Sequence, residues 1–82
     1  MFRAALARLL WDTDQHYQAM NEWRAVLVEE PQNVEALIRL AEGHLKEGDR
    51  VAAFRRFQAV LQIAPDNPVA RREVAKLTGA GR

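Results

Sequence analysis

Two stretches of the chain carry matching residues, and each stretch ends at a proline, Pro31 or Pro65. Every matched pair is separated by the same number of residues as these two prolines. Self-similarity at a fixed period of this length is typical of repeat proteins, in which neighbouring units bury one another's apolar faces. The repeat therefore predicts an architecture but says little about chemistry. The matched pairs include Leu6 and Leu40, Ala7 and Ala41, Ala19 and Ala53, Trp23 and Phe57, and the two prolines.

The apolar residues of both stretches follow the helical period, and none of them alternates as a strand would. The periodic stretches and the breaks between them predict five helices, over residues 2–11, 15–29, 34–47, 50–64 and 68–77. Asn33, Asp49 and Asn67 precede the last three helices and are favourable N-caps. Residues 12–14 are expected to cap the second helix, and Gly48 is expected to adopt the left-handed conformation that ends the third.

The aromatic residues at helical spacing predict the core. Trp23 and Phe57 are expected to fill the space between neighbouring units, and Tyr17 and Phe54 are expected to face inward beside them. Small residues are predicted where paired helices approach closely, because a larger side chain there would overpack. These positions are Ala7, Ala19, Ala41 and Ala53. Residues 79–82 are expected to form a frayed tail.

Composition sets further bounds. The chain has 82 residues, a net charge of +1 and no cysteine, so it has no disulfide framework and no strong field for a polyanion. The absence of cysteine is compatible with a cytoplasmic location. The basic, apolar N-terminus is in register with the repeat and is interrupted by Arg8, which favours a helix over a signal peptide. No segment has the roughly 20 apolar residues that a membrane span needs.

No constellation of residues predicts catalysis or metal binding. His16 and His44 belong to different helices, and a zinc site would need further convergent ligands. The close carboxylates Asp12 and Asp14 are expected to be solvated charges at a helix end. There is no glycine-rich phosphate loop and no nucleophile motif. The sequence therefore predicts a protein that is not an enzyme and holds no metal or other cofactor.

The second half of the chain is the more basic, with paired arginines at 55–56 and 71–72. A nucleic-acid surface would combine such charge with a stripe of exposed aromatic residues, whereas Phe54 and Phe57 are predicted to face inward. A solvated helix face, or attraction to an acidic peptide, explains these arginines better than nucleic acid does.

The repeated residues resemble the tetratricopeptide repeat (TPR), a helix-turn-helix unit of about 34 residues with a W-x2-L-G-x2-Y, A-x3-F and P pattern. The second unit matches this pattern with Leu37, Leu40, Ala41, His44, Ala53, Phe57 and Pro65, and the first with Arg3, Leu6, Ala7, Leu10, Ala19, Trp23 and Pro31. The resemblance implies an all-α, right-handed α-α superhelix in a single domain, residues 1–82. That domain would contain two TPR-like repeats, about 1–33 and 34–67, and a C-terminal capping helix, about 68–78.

In tetratricopeptide arrays the first helix of each unit lines a concave groove. The resemblance therefore implies a non-catalytic protein-interaction module, a scaffold that holds a peptide or helix of a partner protein. Ile38 and Glu42 replace the residues with which clamp-type members of the family grip terminal carboxylates, which argues against such ligands. Packing against the next helix is the alternative role for Trp11. The predicted groove residues are Arg8, Trp11, Asp12, Ile38, Glu42, Leu45, Arg72 and Lys76.

Arg3 and His44 depart from the pattern, which usually has apolar residues at those places. Three explanations of the unusual first helix stay open: a frayed start, excision from a longer array, or an apolar surface that a second copy covers. Solenoids usually need about three repeats to be stable alone, so a chain with two repeats would gain stability from self-association. The last explanation therefore gives an alternative function. The chain would then be a self-assembly module, a homo-oligomer formed through its N-terminal helix, with Met1, Phe2, Leu6 and Leu9 at the interface.

Overall fold

The computed structural model describes residues 2–79, with side chains from residue 3 onward, and its regular structure is entirely helical in this range. Each predicted helix is confirmed, with every end within one residue of its expected place. Residues 80–82 of the predicted tail lie outside the described residues, as do Met1 and the side chain of Phe2 from the predicted interface. The helices are α1 (Phe2–Asp12), α2 (His16–Glu29), α3 (Val34–Lys46), α4 (Arg50–Ile63) and α5 (Pro68–Thr78).

Three of the helices begin at the predicted N-caps. The side chains of Asn33, Asp49 and Asn67 each accept a hydrogen bond from the backbone N–H three residues later, at 2.9 to 3.0 Å. Such a bond satisfies one of the N–H groups that the first turn of a helix leaves unpaired. Gly48 has a φ of +82°, as predicted for the turn between α3 and α4.

The predicted cap of α2 is wrong. The N-cap position is Gln15, whose side chain makes no capping hydrogen bond. The Thr13 hydroxyl donates instead to the carbonyl of Leu9 at 2.9 Å, and Asp14 has a left-handed φ of 67°. The residues of this short turn therefore serve the end of α1 and the reversal of the chain, which leaves no side-chain acceptor for the first turn of α2.

Each helix packs chiefly against the next one along the chain, and the buried side chains form two clusters. The first cluster is centred on Trp23 and joins α1, α2 and α3, while the second is centred on Phe57 and joins α3, α4 and α5. Trp23 and Phe57 are fully buried, as predicted, and so are the four alanines at close contacts. Leu27 packs against both clusters and connects them.

Tyr17 does not face inward as predicted, because 72% of it is exposed. It lies on the same side of α2 as Val28, which is also exposed and follows it by about three helical turns. Its repeat equivalent Val51 is 63% exposed, so both copies place this position outside the core. Phe54 is half-buried rather than enclosed.

Over the described residues, no helix combines the length and apolar character that crossing a membrane requires.

Candidate functional site

The predicted groove is built on α1, α3 and α5, and its firmest connection joins α1 to α3. Nε of Arg8 donates to one carboxylate oxygen of Glu35 at 2.9 Å, and Nη2 donates to the other at 2.6 Å. Two parallel bonds between a guanidinium and a carboxylate fix orientation as well as distance. The pair therefore connects α1 to α3 along this surface.

This ion pair also shifts the titration of its members. The hydrogen bonds from Arg8 lower the pKa of Glu35 below its ordinary value. The positive charges of Arg8 and Arg39 lower the pKa further, against the opposing effect of burial. The same contact raises the pKa of Arg8. At neutral pH both groups are charged.

Trp11 lies where α1, α2 and α3 meet. Its ring is half-buried against the first cluster and makes an edge-on contact with the ring of His16, with centroids 4.6 Å apart. The Arg39 guanidinium and the Lys46 ammonium lie 5.8 and 5.9 Å from the Trp11 ring centroid. These distances allow cation–π attraction. Trp11 thus packs against the first cluster and also lies beside two cations of α3.

A shallow depression of about 370 Å³ lies between α3 and α5. Its apolar part comes from both helices, and its charged part includes Arg39 and Glu42, which are paired at 3.0 Å. An apolar patch with fixed charges at its edge suits a peptide that carries one apolar anchor and a charged flank. The lining residues are Val34, Glu35, Ile38, Arg39, Glu42 and Val69.

The structure brings some of the predicted groove residues together and separates others. Ile38 and Glu42 line the depression, and Arg8 and Trp11 of α1 contact two other residues that line it, Glu35 and Arg39. Asp12 is exposed at the end of α1, and Leu45 packs against the second cluster. Arg72 and Lys76 form a separate group around Glu73, at 3.3 and 3.6 Å.

Sequence reasoning missed Glu35, Arg39 and Lys46. Together with Glu42 they form a run of alternating charge along α3, at spacings of four, three and four residues. Residues at these spacings lie on one side of a helix. This alternation was the available signal, and it would have extended the predicted groove along the whole of α3.

The histidines pair with nearby carboxylates. His16 Nδ1 lies 3.4 Å from Asp14 and His44 Nδ1 lies 3.3 Å from Glu47. In the part of the chain that the structure describes, no three histidine, cysteine or acidic side chains are grouped closely enough to hold a metal ion.

No family model matches the chain, and no curated protein matches it significantly.

Proposed function

We propose that the chain is a tetratricopeptide-like module of two repeats and a capping helix that binds a peptide or helix of a partner protein without catalysing a reaction. The main support for this proposal is the depression between α3 and α5, where Ile38 and Val69 are flanked by Arg39 and Glu42. The order of the helices and the internal repeat support the family resemblance.

The mechanism would be preorganisation. Arg8 and Glu35 join α1 to α3, and Arg39 is held between Glu42 and the Trp11 ring. A surface whose side chains are already ordered loses less conformational entropy when it binds. Arg39 and Glu42, the charged rim of the depression, are already paired with each other. A ligand would therefore gain most binding free energy from burying an apolar group on Ile38, with further contacts to this rim.

Selection of a random peptide library on the immobilised protein tests this function. We expect enriched peptides that bind in the micromolar range or tighter, and whose affinity falls at least about tenfold in Glu42→Lys, because that change reverses the rim charge beside Arg39. Asp66→Lys is the matched control, since it makes the same charge change at an exposed residue after α4. Enriched peptides that bind Glu42→Lys and wild type equally would place the binding surface elsewhere.

Self-assembly is a second candidate function, favoured by the exposure of two leucines of α1. Leu6 is 44% exposed and Leu9 is 59% exposed. Burial of such residues in a symmetric contact would stabilise a homo-oligomer. Sedimentation equilibrium at high micromolar concentration tests it: a dimer that Leu6→Lys dissociates supports the candidate, and a monomer rules it out.

A further inference from the structure

The face of α1 that carries Leu6 and Leu9 has an equivalent on α3 and another on α5. Leu6 corresponds to Leu40 on α3, one repeat later in the sequence. Leu40 is fully buried in the first cluster, together with Met20 and Trp23 of α2. On α3, therefore, this face is covered by the second helix of the preceding unit.

The same relation holds between α4 and α5. Val74 and Leu77, which correspond to Leu6 and Leu9, pack against the second cluster around Phe57. Leu77 also shares a depression with Phe54 of α4. Two of the three equivalent faces are thus covered by an amphipathic helix, and no helix of the described residues covers Leu6 and Leu9 of α1 in the same way.

The residue at the position of Leu9 decides which kind of helix fits. On α3 this position is Gly43, where an added Cβ would clash with the side chain of Met20 on α2. On α5 it is Leu77, and the covering helix presents Phe54. Because α1 carries leucine there, its face matches the one that α4 covers, not the one that α2 covers.

Within residues 2–79, a second copy of the chain has no such helix free. Met20 and Trp23 of α2 are buried against α3, and Phe57 of α4 is buried in the second cluster with residues of α5. We propose that the α1 face binds an amphipathic helix of another polypeptide whose inner side is like that of α4. Such a helix has aromatic residues three positions apart and leucine four positions after the second, as Phe54, Phe57 and Leu61 are in α4.

The probe is a synthetic peptide with the sequence of residues 49–64, added to the isotope-labelled full chain. We expect saturable shifts of the backbone amide resonances centred on Leu6 and Leu9. Leu9→Lys should weaken binding at least about tenfold, since burial of one leucine changes an equilibrium by that much or more. Val28→Lys is the matched control, because it places the same charge at an apolar residue that is 82% exposed on α2, and it should leave the affinity unchanged.

Several outcomes would overturn the proposal. The peptide could cause no saturable shift, or its shifts could centre on Val74 and Leu77, which would mean that it replaces α4 itself. Equal loss of binding in Leu9→Lys and Val28→Lys would show a general charge effect. A dimer of the chain alone that Leu9→Lys dissociates would assign the face to a second copy. Failure of the groove substitutions leaves this test unaffected, because Glu42 lies on α3 and not on the α1 face.

Discussion

At the scale of single residues, Trp23 combines a large contribution to packing with one polar cost. It is fully buried, and its indole N–H has no hydrogen-bond acceptor among the described residues. A buried donor without a partner costs about 1 to 3 kcal/mol. Its repeat equivalent Phe57 fills the same position without a polar group. The requirement at this position is therefore for an aromatic ring, not for the indole nitrogen.

We expect Trp23→Phe to change the free energy of unfolding by less than about 1.5 kcal/mol, because removal of the unpaired N–H offsets the lost volume. Trp23→Ala should cost about 3 to 5 kcal/mol, which is as much as the core of so small a domain supplies. Urea unfolding followed by circular dichroism measures the first, and loss of the native helical signal measures the second. Equal destabilisation by the two changes would contradict this account.

The Arg8–Glu35 pair predicts a pH dependence. The folded state lowers the pKa of Glu35, so the pair stabilises the fold above the ordinary pKa of 4.5 and loses this contribution as pH falls through the folded pKa. A double-mutant cycle with Arg8→Gln and Glu35→Gln should give a small favourable coupling at neutral pH, as exposed ion pairs do. The coupling should disappear in acid. A coupling that persists with Glu35 protonated would show that the charges are not its source.

At the scale of helices, local signals decided what the sequence could predict. Asn33 and Pro68 lie within a few residues of the helix starts that they mark. Signals of this kind are local, so the bounds of the helices could be predicted from the sequence. The predicted cap of α2 was wrong because Thr13 could bond forward to α2 or back to α1, and sequence does not choose between these. Arg8 and Glu35 are far apart in the sequence, and their contact depends on how α1 is rotated against α3. No local pattern records that rotation.

The α2–α3 interface predicts a specific coupling between Met20 and Gly43. Glycine inside a helix costs about 0.5 to 1 kcal/mol relative to alanine, yet a Cβ at Gly43 would lie only 2.8 Å from Cγ of the buried Met20. Overpacking costs about 1 to 3 kcal/mol and should outweigh the gain in helix propensity, so Gly43→Ala should destabilise the wild type. In a Met20→Ala background the same change should stabilise. Thermal melts of the four proteins measure this reversal, and the same sign in both backgrounds would refute the close contact.

At the scale of the whole molecule, cooperativity depends on how the two clusters are joined. Leu27 packs against both of them, while its repeat equivalent Leu61 packs against the second alone. In repeat proteins the stability of the whole is approximately the sum of unit terms and neighbour interface terms. Weakening the interface between the two clusters should therefore separate the unfolding of the first cluster from that of the second. Weakening one cluster internally should only shift the midpoint of a single shared unfolding transition.

Leu27→Ala and Leu61→Ala remove the same side-chain atoms and so form a matched pair. Trp11 lies on α1 and Trp23 lies on α2, and both pack in the first cluster, so tryptophan fluorescence reports the unfolding of that cluster. Circular dichroism reports all five described helices. In urea we expect the two signals to give coincident transitions for wild type and Leu61→Ala, the mark of two-state unfolding. For Leu27→Ala the curves should separate and the apparent m-value should fall, because less surface is exposed in each step. Coincident curves in Leu27→Ala would mean that the α2–α3 interface couples the two units without this side chain.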